Sequence, residues 1–225
     1  MRTIVKKLSQ QANDFRVQGL CWLCETPDML TCGLCATCFN DLPRRAPENL
    51  RPAVSDDYCR VWIAALSYQP PVDRWLHSFK FAQTPALARH LAILLSAQVM
   101  TYYKQHKRLL PEALIAVPLA KKRWRYRGYN QALVLANEVS KVLGIPLIHA
   151  VIRHKDSKVQ HQLDRRQRQA NMRQAFQVVS VIPCTRIAIV DDIITTGATV
   201  SGLGAVLSEQ GVVEIDAWAV AYTPS

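Results

Sequence analysis

Short apolar runs alternate with helical patterns along most of the chain, and this alternation predicts an α/β fold. Strands are predicted where apolar, β-branched residues form a short run between turn residues, at residues 61–68, 114–119, 145–152, 187–190 and 212–220. Helices are predicted where apolar residues recur every three or four positions, at residues 72–81, 86–103, 131–143 and 200–210. Strands separated by helices favour a mainly parallel sheet that is flanked by helices.

Residues 187–200 have the most specific pattern in the chain. Four apolar residues precede Asp191 and Asp192, which are expected where a buried strand ends, and open α/β sheets bind ligands at that edge. Small and hydroxylated residues then lead into a helix: Thr195, Thr196, Gly197, Ala198 and Thr199. Backbone N–H groups at such a helix start can hold a phosphate, and paired carboxylates can accept hydrogen bonds from vicinal hydroxyls or hold a divalent cation. A ribose 5-phosphate carries both of these groups.

This stretch closely resembles the phosphoribosyl pyrophosphate (PRPP) motif of type I phosphoribosyltransferases. The resemblance implies that Asp191 and Asp192 meet the ribose hydroxyls, that residues 195–199 hold the 5′-phosphate, and that magnesium accompanies PRPP. The alternative interpretation is an ordinary strand, turn and helix with polar turn residues.

Positive charge is concentrated in the middle of the chain, whose formal net charge is +11. Between Lys104 and Arg173 there are sixteen Lys or Arg residues and four acids, which favours a phosphate-rich partner. The candidates for pyrophosphate or nucleic-acid contacts are Lys80, Lys121, Arg123, Arg125, Arg127, Gln131 and Arg166. Trp124 and Tyr126 interleave with the basic residues of the predicted loop 120–131, a pattern that suits single-stranded nucleic acid. The alternative is a solvated turn with aromatic rings packed on the sheet. Lys80, between two phenylalanines, is expected to point away from the core.

Paired cysteines near the N-terminus predict a structural zinc site. Cys21 and Cys24 form one Cys-x-x-Cys pair, and Cys35 and Cys38 form a second. Four thiolates complete a tetrahedral zinc shell, and such a metal supplies folding energy to a segment with few apolar residues. Cys32 is an alternative ligand, because Cys32 and Cys35 have the same spacing. The alternative interpretation is a set of reduced cysteines that bind no metal.

These patterns divide the chain into a leader (1–18), a zinc ribbon (19–45), a linker (46–57) and a phosphoribosyltransferase-like domain (58–225). No apolar run approaches the ~20 residues of a membrane helix. The N-terminal residues also lack the pattern of a secretory signal, so we expect a cytoplasmic location without membrane insertion.

Taken together, the motifs make the chain similar to ComF/GntX family proteins. The resemblance rests on the cysteine pairs, the 187–200 motif, Lys80-Phe81, the run from Arg127 to Gln131, and Gln160, Arg166, Asn171 and Phe176. It implies a type I phosphoribosyltransferase fold with a zinc ribbon, a role in natural competence or in the use of external DNA, and a helicase-like partner.

Three functions are compatible with this resemblance. One is magnesium-dependent transfer of phosphoribose from PRPP to an acceptor that the sequence does not identify. Another is a non-catalytic protein or adaptor that handles single-stranded DNA and keeps a residual PRPP site. The third, a nucleotide-sensing regulator, ranks last because the sequence has no recognisable helix-turn-helix.

Overall fold

The computed structural model describes residues 16–51, 58–81, 84–154 and 174–223. The strands are β1 (Arg16–Leu20), β2 (Pro27–Thr31), β3 (Val61–Ser67), β4 (Ala113–Ala116), β5 (Val151–Arg153), β6 (Phe176–Val178), β7 (Arg186–Ile194) and β8 (Glu214–Tyr222). The helices are α1 (Ala36–Asn40), α2 (Val72–Phe81), α3 (Leu87–Gln105), α4 (Lys121–Arg127), α5 (Gln131–Leu143) and α6 (Ala198–Ser208).

A four-stranded parallel sheet forms the centre of the structure, in the order β3-β8-β7-β4. The apolar start of β7, residues 187–190, is at most 1% exposed, as expected for a strand that is covered on both faces. Helices α3 and α5 pack on each other and on the sheet, while α6 packs on β6, β7 and β8. The predicted α/β architecture with a mainly parallel sheet is therefore confirmed.

Two predicted elements are wrong in detail. The strand expected at residues 145–152 is reduced to a single bridge from Leu147 to Leu114, because the neighbouring Pro146 has no N–H to donate to a ladder. Strand β5 instead begins at Val151 and pairs antiparallel with β6, outside the main sheet. The predicted loop at 120–131 contains helix α4, which ends at Gly128 with a φ of 79°. The helix escaped prediction because it has no buried apolar stripe.

Helix α5 begins as predicted. The side chain of Asn130 accepts a hydrogen bond from the N–H of Leu133 at 3.4 Å, which satisfies one of the free donors of the first turn. The same side chain donates to the carbonyl of Val117, just beyond β4, at 3.1 Å. Asn130 thus fixes the start of α5 against the carboxyl edge of the sheet.

The N-terminal module packs on the rest of the molecule. Strands β1 and β2 form an antiparallel hairpin, and Leu30 and Leu34 join the main hydrophobic core. The Trp22 ring lies 6.1 Å from the His90 ring of α3. Residues 43–50 then follow the edge of β3, with backbone hydrogen bonds of 2.8 Å from Ser67 to Pro43 and 2.9 Å from Leu50 to Trp62. The predicted domain boundaries remain predictions, and residues 1–15 and 52–57 lie outside the described ranges.

Within the described ranges, no helix has the length and apolar character needed to span a bilayer.

Candidate functional site

The acid pair lies at the open carboxyl edge of the sheet. Strand β4 ends beside Val190, while β7 continues to Ile194, so Asp191 and Asp192 extend past their neighbour. The sequence pattern predicted that the strand ends before these acids, whereas β7 includes both of them. One oxygen of each carboxylate is held by the next backbone N–H, at 2.8 Å for Asp191 and 2.9 Å for Asp192. Both carboxylates are therefore fixed in direction before any ligand arrives.

These acids line a cavity of about 350 Å³ together with most of the other predicted site residues. The predicted residues that line it are Asp191, Asp192, Thr195, Thr199, Lys80, Arg123, Arg127 and Gln131. Thr196 and Gly197 form the adjoining turn, Ala198 begins α6, and Arg125 is exposed elsewhere on α4. The side chain of Lys121 and all of Arg166 lie outside the described part of the chain. The fold therefore brings residues from positions 80, 123–131 and 191–199 to one place.

Lys80 pairs with the acids across the cavity. Its Nζ lies 3.0 Å from Oδ2 of Asp192, and both side chains are largely buried. The sequence analysis expected Lys80 to point away from the core; its ammonium group lies in the cavity and contacts Asp192. Burial raises the pKa of Asp191 well above its usual range, and the neighbouring Asp192 carboxylate raises it further, while Lys80 opposes both effects. Two carboxylates and one ammonium group leave an excess of hydrogen-bond acceptors, which suits hydroxyl donors or a divalent cation.

Arg127, the last residue of α4, is held in place through contacts with the end of α2. Arg127 donates to the side-chain oxygen of Gln131 at 3.1 Å, and Gln131 donates to the carbonyl of Lys80 at 3.3 Å. The hydroxyl of Tyr129 donates to the carbonyl of Phe79. These bonds place the guanidinium of Arg127 on the side of the cavity that Lys80 also lines.

Arg51 is a residue at this site that the sequence analysis missed. It donates from Nη2 to the carbonyl of Thr195 at 3.3 Å and to the carbonyl of Thr196, and its guanidinium lies 4.5 Å from the centre of the Trp62 ring. Gly197 has a φ of 74°, and a Cβ there would come within 2.5 Å of Arg51. No motif marks Arg51, because it follows a proline-rich segment far from the turn in sequence.

Arg153 was also missed. Only 8% of it is exposed, it lines the same cavity, and its guanidinium lies 5.6 Å from the Phe176 ring. A strand-end arginine in a basic region carries no distinguishing sequence signal.

Four cysteines form a second candidate site. The Sγ atoms of Cys21, Cys24, Cys35 and Cys38 all lie within 4.8 Å of one another, and those of Cys24 and Cys35 are 3.7 Å apart. A tetrahedral zinc ion with Zn–S bonds of about 2.3 Å requires S···S distances of about 3.8 Å, so the cluster can hold a metal such as zinc. Hydrogen bonds with Thr26 lower the pKa of Cys24 to about 6, which favours the thiolate.

Cys32 lies outside this cluster of described cysteines. It is buried, and burial raises its pKa to about 11, with nearby Arg44 opposing the shift. The fold therefore places Cys35 and Cys38, and not Cys32, beside the first cysteine pair.

No family model matches the chain. DNA utilization protein YhgH of Salmonella typhimurium is 30% identical over 224 residues, covering 92% of this chain and 98% of that protein. The Escherichia coli (strain K12) protein of the same name is 29% identical over 223 residues, again covering 92% and 98%. Competence protein F of Haemophilus influenzae is 36% identical over 159 residues, covering 68% of this chain and 69% of that protein.

The fold and the two sites define an α/β protein with a four-cysteine N-terminal module and, at its sheet edge, a cavity that is lined by an acid pair and several basic side chains. The chain belongs to the family of DNA utilization protein YhgH and Competence protein F, and the resemblance to ComF/GntX proteins is thereby confirmed.

Two phosphoribosyltransferases are among the similar solved structures. Adenine phosphoribosyltransferase from Saccharomyces cerevisiae has a TM-score of 0.37 at 14% identity, covering 64% of this chain and 72% of that chain. Purine phosphoribosyltransferase from Pyrococcus horikoshii has a TM-score of 0.32 at 18% identity, covering 62% and 83%. Both likenesses are too distant to support a conclusion about the site.

Proposed function

We propose that this chain is a phosphoribosyltransferase-like protein that binds PRPP with magnesium in the cavity beside Asp191 and Asp192. The observation that carries the proposal is the convergence of the acid pair, the hydroxyl-rich turn and the basic side chains on one cavity. Each of these three groups matches one part of PRPP: the ribose diol, the 5′-phosphate and the pyrophosphate.

Each part of the ligand has a set of residues that suits it. Asp191 accepts a hydrogen bond from a ribose hydroxyl through the oxygen that the backbone does not hold, and Asp192 accepts one through the oxygen that it shares with Lys80. Thr195, Thr199 and the backbone at the start of α6 receive the 5′-phosphate. The pyrophosphate lies toward the cations that line the cavity, which are Lys80, Arg123 and Arg127.

The chemistry at such a site is mainly positioning. Phosphoribosyl transfer develops positive charge on the ribose and negative charge on the departing pyrophosphate, so fixed carboxylates and fixed cations both favour it. Magnesium, when bound with PRPP, neutralises part of the diphosphate charge. Backbone N–H groups hold the two carboxylates, and Gln131 holds the Arg127 guanidinium, so these groups need little rearrangement to take their roles.

We also propose that zinc occupies the four-cysteine cluster and has a structural role. Four sulfurs that lie within 4.8 Å of one another, two of them 3.7 Å apart, support this assignment.

The relatives' names support a role in competence or DNA utilization, which we propose for this chain. We also propose that the chain is cytoplasmic and acts with a helicase-like partner. In this role the chain would be a PRPP-binding protein that also handles DNA or its products.

Calorimetric titration of PRPP with magnesium tests the main proposal. Wild type should bind, and the Asp191→Asn/Asp192→Asn double variant should not. Asp73→Asn is a matched control, because the Asp73 carboxylate also holds the next backbone N–H, at 2.7 Å, but does not line the cavity. Absence of PRPP binding by folded, zinc-loaded wild type would overturn the proposal.

A second candidate function is supported by the exposed face of α4. Tyr126 is 79% exposed, its ring lies 6.3 Å from that of Phe81, and Arg127 lies over Phe81 at 5.0 Å. Exposed rings beside arginines suit single-stranded DNA. Fluorescence anisotropy of a labelled oligonucleotide at increasing salt tests this binding, since log K should fall by about 0.7 per neutralised phosphate for each decade of salt. A flat salt response, or unchanged affinity in Tyr126→Ala, would contradict it.

A further inference from the structure

Residues 43–51 form a strap that runs from the four-cysteine module to the turn at residues 195–197. The strap pairs with the edge of β3 through the backbone hydrogen bonds described above. Gln98 of α3 holds it from the other side, since its side chain donates to the carbonyls of Arg45 and Ala46 at 3.1 and 2.8 Å. A segment that is held by both a strand and a helix keeps a defined path between its two ends.

The first end of the strap is tied to the cysteine cluster. Cys38 belongs to helix α1, which has only five residues and is too short to be stable without tertiary support. Arg44 of the strap donates to the carbonyl of Phe39 in α1 at 2.9 Å, and its guanidinium lies 4.0 Å from the centre of the Phe39 ring. Leu42, between these two residues, is buried in the main hydrophobic core. A metal that fixes α1 therefore also fixes the start of the strap.

The second end of the strap carries Arg51 to the turn. Oδ1 of Asn49 accepts the N–H of Arg51 at 3.2 Å and the N–H of Trp62 in β3 at 2.9 Å. Asn49 thus fixes the backbone of Arg51 against the sheet. From this anchor the guanidinium stacks on the Trp62 ring and donates to the carbonyls of Thr195 and Thr196.

These two carbonyl contacts set the direction of the backbone N–H groups in the turn. The C=O and N–H groups of a planar trans peptide point to opposite sides, so the N–H groups of Thr196 and Gly197 point away from Arg51. Within the described part of the chain, no group accepts a hydrogen bond from either of them. Both N–H groups are therefore available to an anion at the start of α6.

We propose that the strap couples the cysteine cluster to this turn, so that zinc in the cluster raises the affinity of the turn for a ligand phosphate through Arg51. The coupling rests on the proposed PRPP and zinc functions. Arg51 acts as a positioning residue, because it holds the peptide groups of the turn in the orientation that donates to the phosphate. Without zinc, α1 and the start of the strap lose their anchor, and the guanidinium is held less firmly on the two carbonyls.

A thermodynamic cycle on the full chain tests the coupling. Zinc is removed by dialysis against a zinc-selective chelator, which is then dialysed away, and PRPP with magnesium is titrated calorimetrically into zinc-loaded and zinc-free protein. Zinc removal should weaken PRPP binding about fivefold or more in wild type, and less than about twofold in Arg51→Ala. Restoring zinc should restore the wild-type affinity.

The reciprocal measurement uses a different readout. Because two coupled binding events strengthen each other by the same factor, saturating PRPP should raise the zinc affinity of wild type by the factor found in the first cycle. Competition with a chromogenic zinc chelator measures this change. PRPP should leave the zinc affinity of Arg51→Ala nearly unchanged.

Two variants of Asn49 test the strap without altering a cysteine or a residue that lines the cavity. Asn49→Ala removes the acceptor for the N–H of Arg51, and the zinc-loaded variant should bind PRPP about threefold or more weakly than wild type. Asn49→Asp keeps a side-chain oxygen as acceptor and loses only the bond to the carbonyl of Arg60, so its affinity should stay within about twofold of wild type. This pair decides the matter even if circular dichroism shows that the zinc-free chain unfolds.

The remaining outcomes separate the inference from the function on which it rests. If zinc-loaded wild type binds PRPP and folded zinc-free protein binds it equally well, the inference is wrong and the proposed function stands. Equal losses on zinc removal in wild type and Arg51→Ala, or unchanged PRPP affinity in Asn49→Ala, would overturn the strap as the carrier. If zinc-loaded wild type does not bind PRPP, the proposed function and the inference are both wrong.

Discussion

Zinc binding by the N-terminal module offers the sharpest test of the cysteine assignment. Cys32 and Cys35 lie three positions apart and are each 5% exposed, but the Cys35 sulfur belongs to the four-sulfur cluster and the Cys32 sulfur does not. Cys35→Ser and Cys32→Ser are therefore a matched pair. We expect Cys35→Ser to bind zinc much more weakly than wild type, and Cys32→Ser to keep wild-type affinity with one zinc per chain.

The expected loss follows from the geometry. A four-cysteine site with tetrahedral spacing is worth roughly 10–16 kcal/mol of apparent binding free energy. One of four equivalent ligands then contributes roughly 2.5–4 kcal/mol, which lowers the affinity about a hundredfold to a thousandfold. Cys35 also caps helix α1, since its sulfur accepts the N–H of Cys38 at 3.4 Å, and a serine hydroxyl can accept the same hydrogen bond, so the variant removes the metal ligand and keeps the cap.

Competition with a chromogenic zinc chelator measures the affinities, and metal analysis gives the stoichiometry. Circular dichroism and the unfolding transition of the main domain serve as controls for folding. Retention of zinc by Cys35→Ser at wild-type affinity, or loss of zinc in Cys32→Ser alone, would refute the assignment. Wild type purified without chelators but lacking zinc would refute the metal itself.

Three further predictions concern the turn and the sheet. Gly197→Ala should lower the free energy of unfolding by about 1–2 kcal/mol, measured by urea unfolding, and should impair PRPP binding, measured by calorimetry. Gly144 has a similar left-handed backbone conformation, but no atom lies within 4 Å of the position its Cβ would take. Gly144→Ala should therefore lower stability to a similar extent without affecting PRPP binding. Arg51→Ala should weaken PRPP about tenfold or more, because charge-assisted bonds to the turn are lost, while Arg60→Ala, which removes an exposed ion pair, should leave PRPP affinity unchanged. Burial raises the pKa of Asp216, so the stability that its proton provides is lost as pH rises from the unfolded-state pKa of about 4 through the native pKa. Urea unfolding should show that Asp216→Asn gains stability relative to wild type as the pH rises above about 4, and a difference that does not change with pH would contradict this.

Several features of the molecule could be predicted from sequence because they depend on neighbours in the chain. The strand at 187–190 and the following turn and helix form one contiguous pattern, so Asp191 and the threonines could be expected at a sheet edge. The cysteine pairs could be recognised by spacing, since two residues between cysteines let one ion be shared. The N-cap of Asn130 is likewise a local hydrogen bond.

Elements with weak or misleading local signals were harder to predict. Helix α4 is exposed, so it lacks the buried stripe from which helices are recognised. The expected strand at 145–152 has the composition of a strand, but Pro146 interrupts its hydrogen bonding and the chain then pairs with β6.

The sequence by itself determined the chemistry of each short segment: a hydroxyl-rich turn after two acids, a basic aromatic stretch, and two thiolate pairs. The tertiary structure alone decided which distant segments share a site. It brings Arg51 to the carbonyl of Thr196, 145 positions away, and closes Lys80 over Asp192. It also buries Arg153 in the wall of the same cavity. Local spacing specifies what a segment can bind, but contacts between distant residues arise only when the parallel sheet aligns its carboxyl ends at one edge.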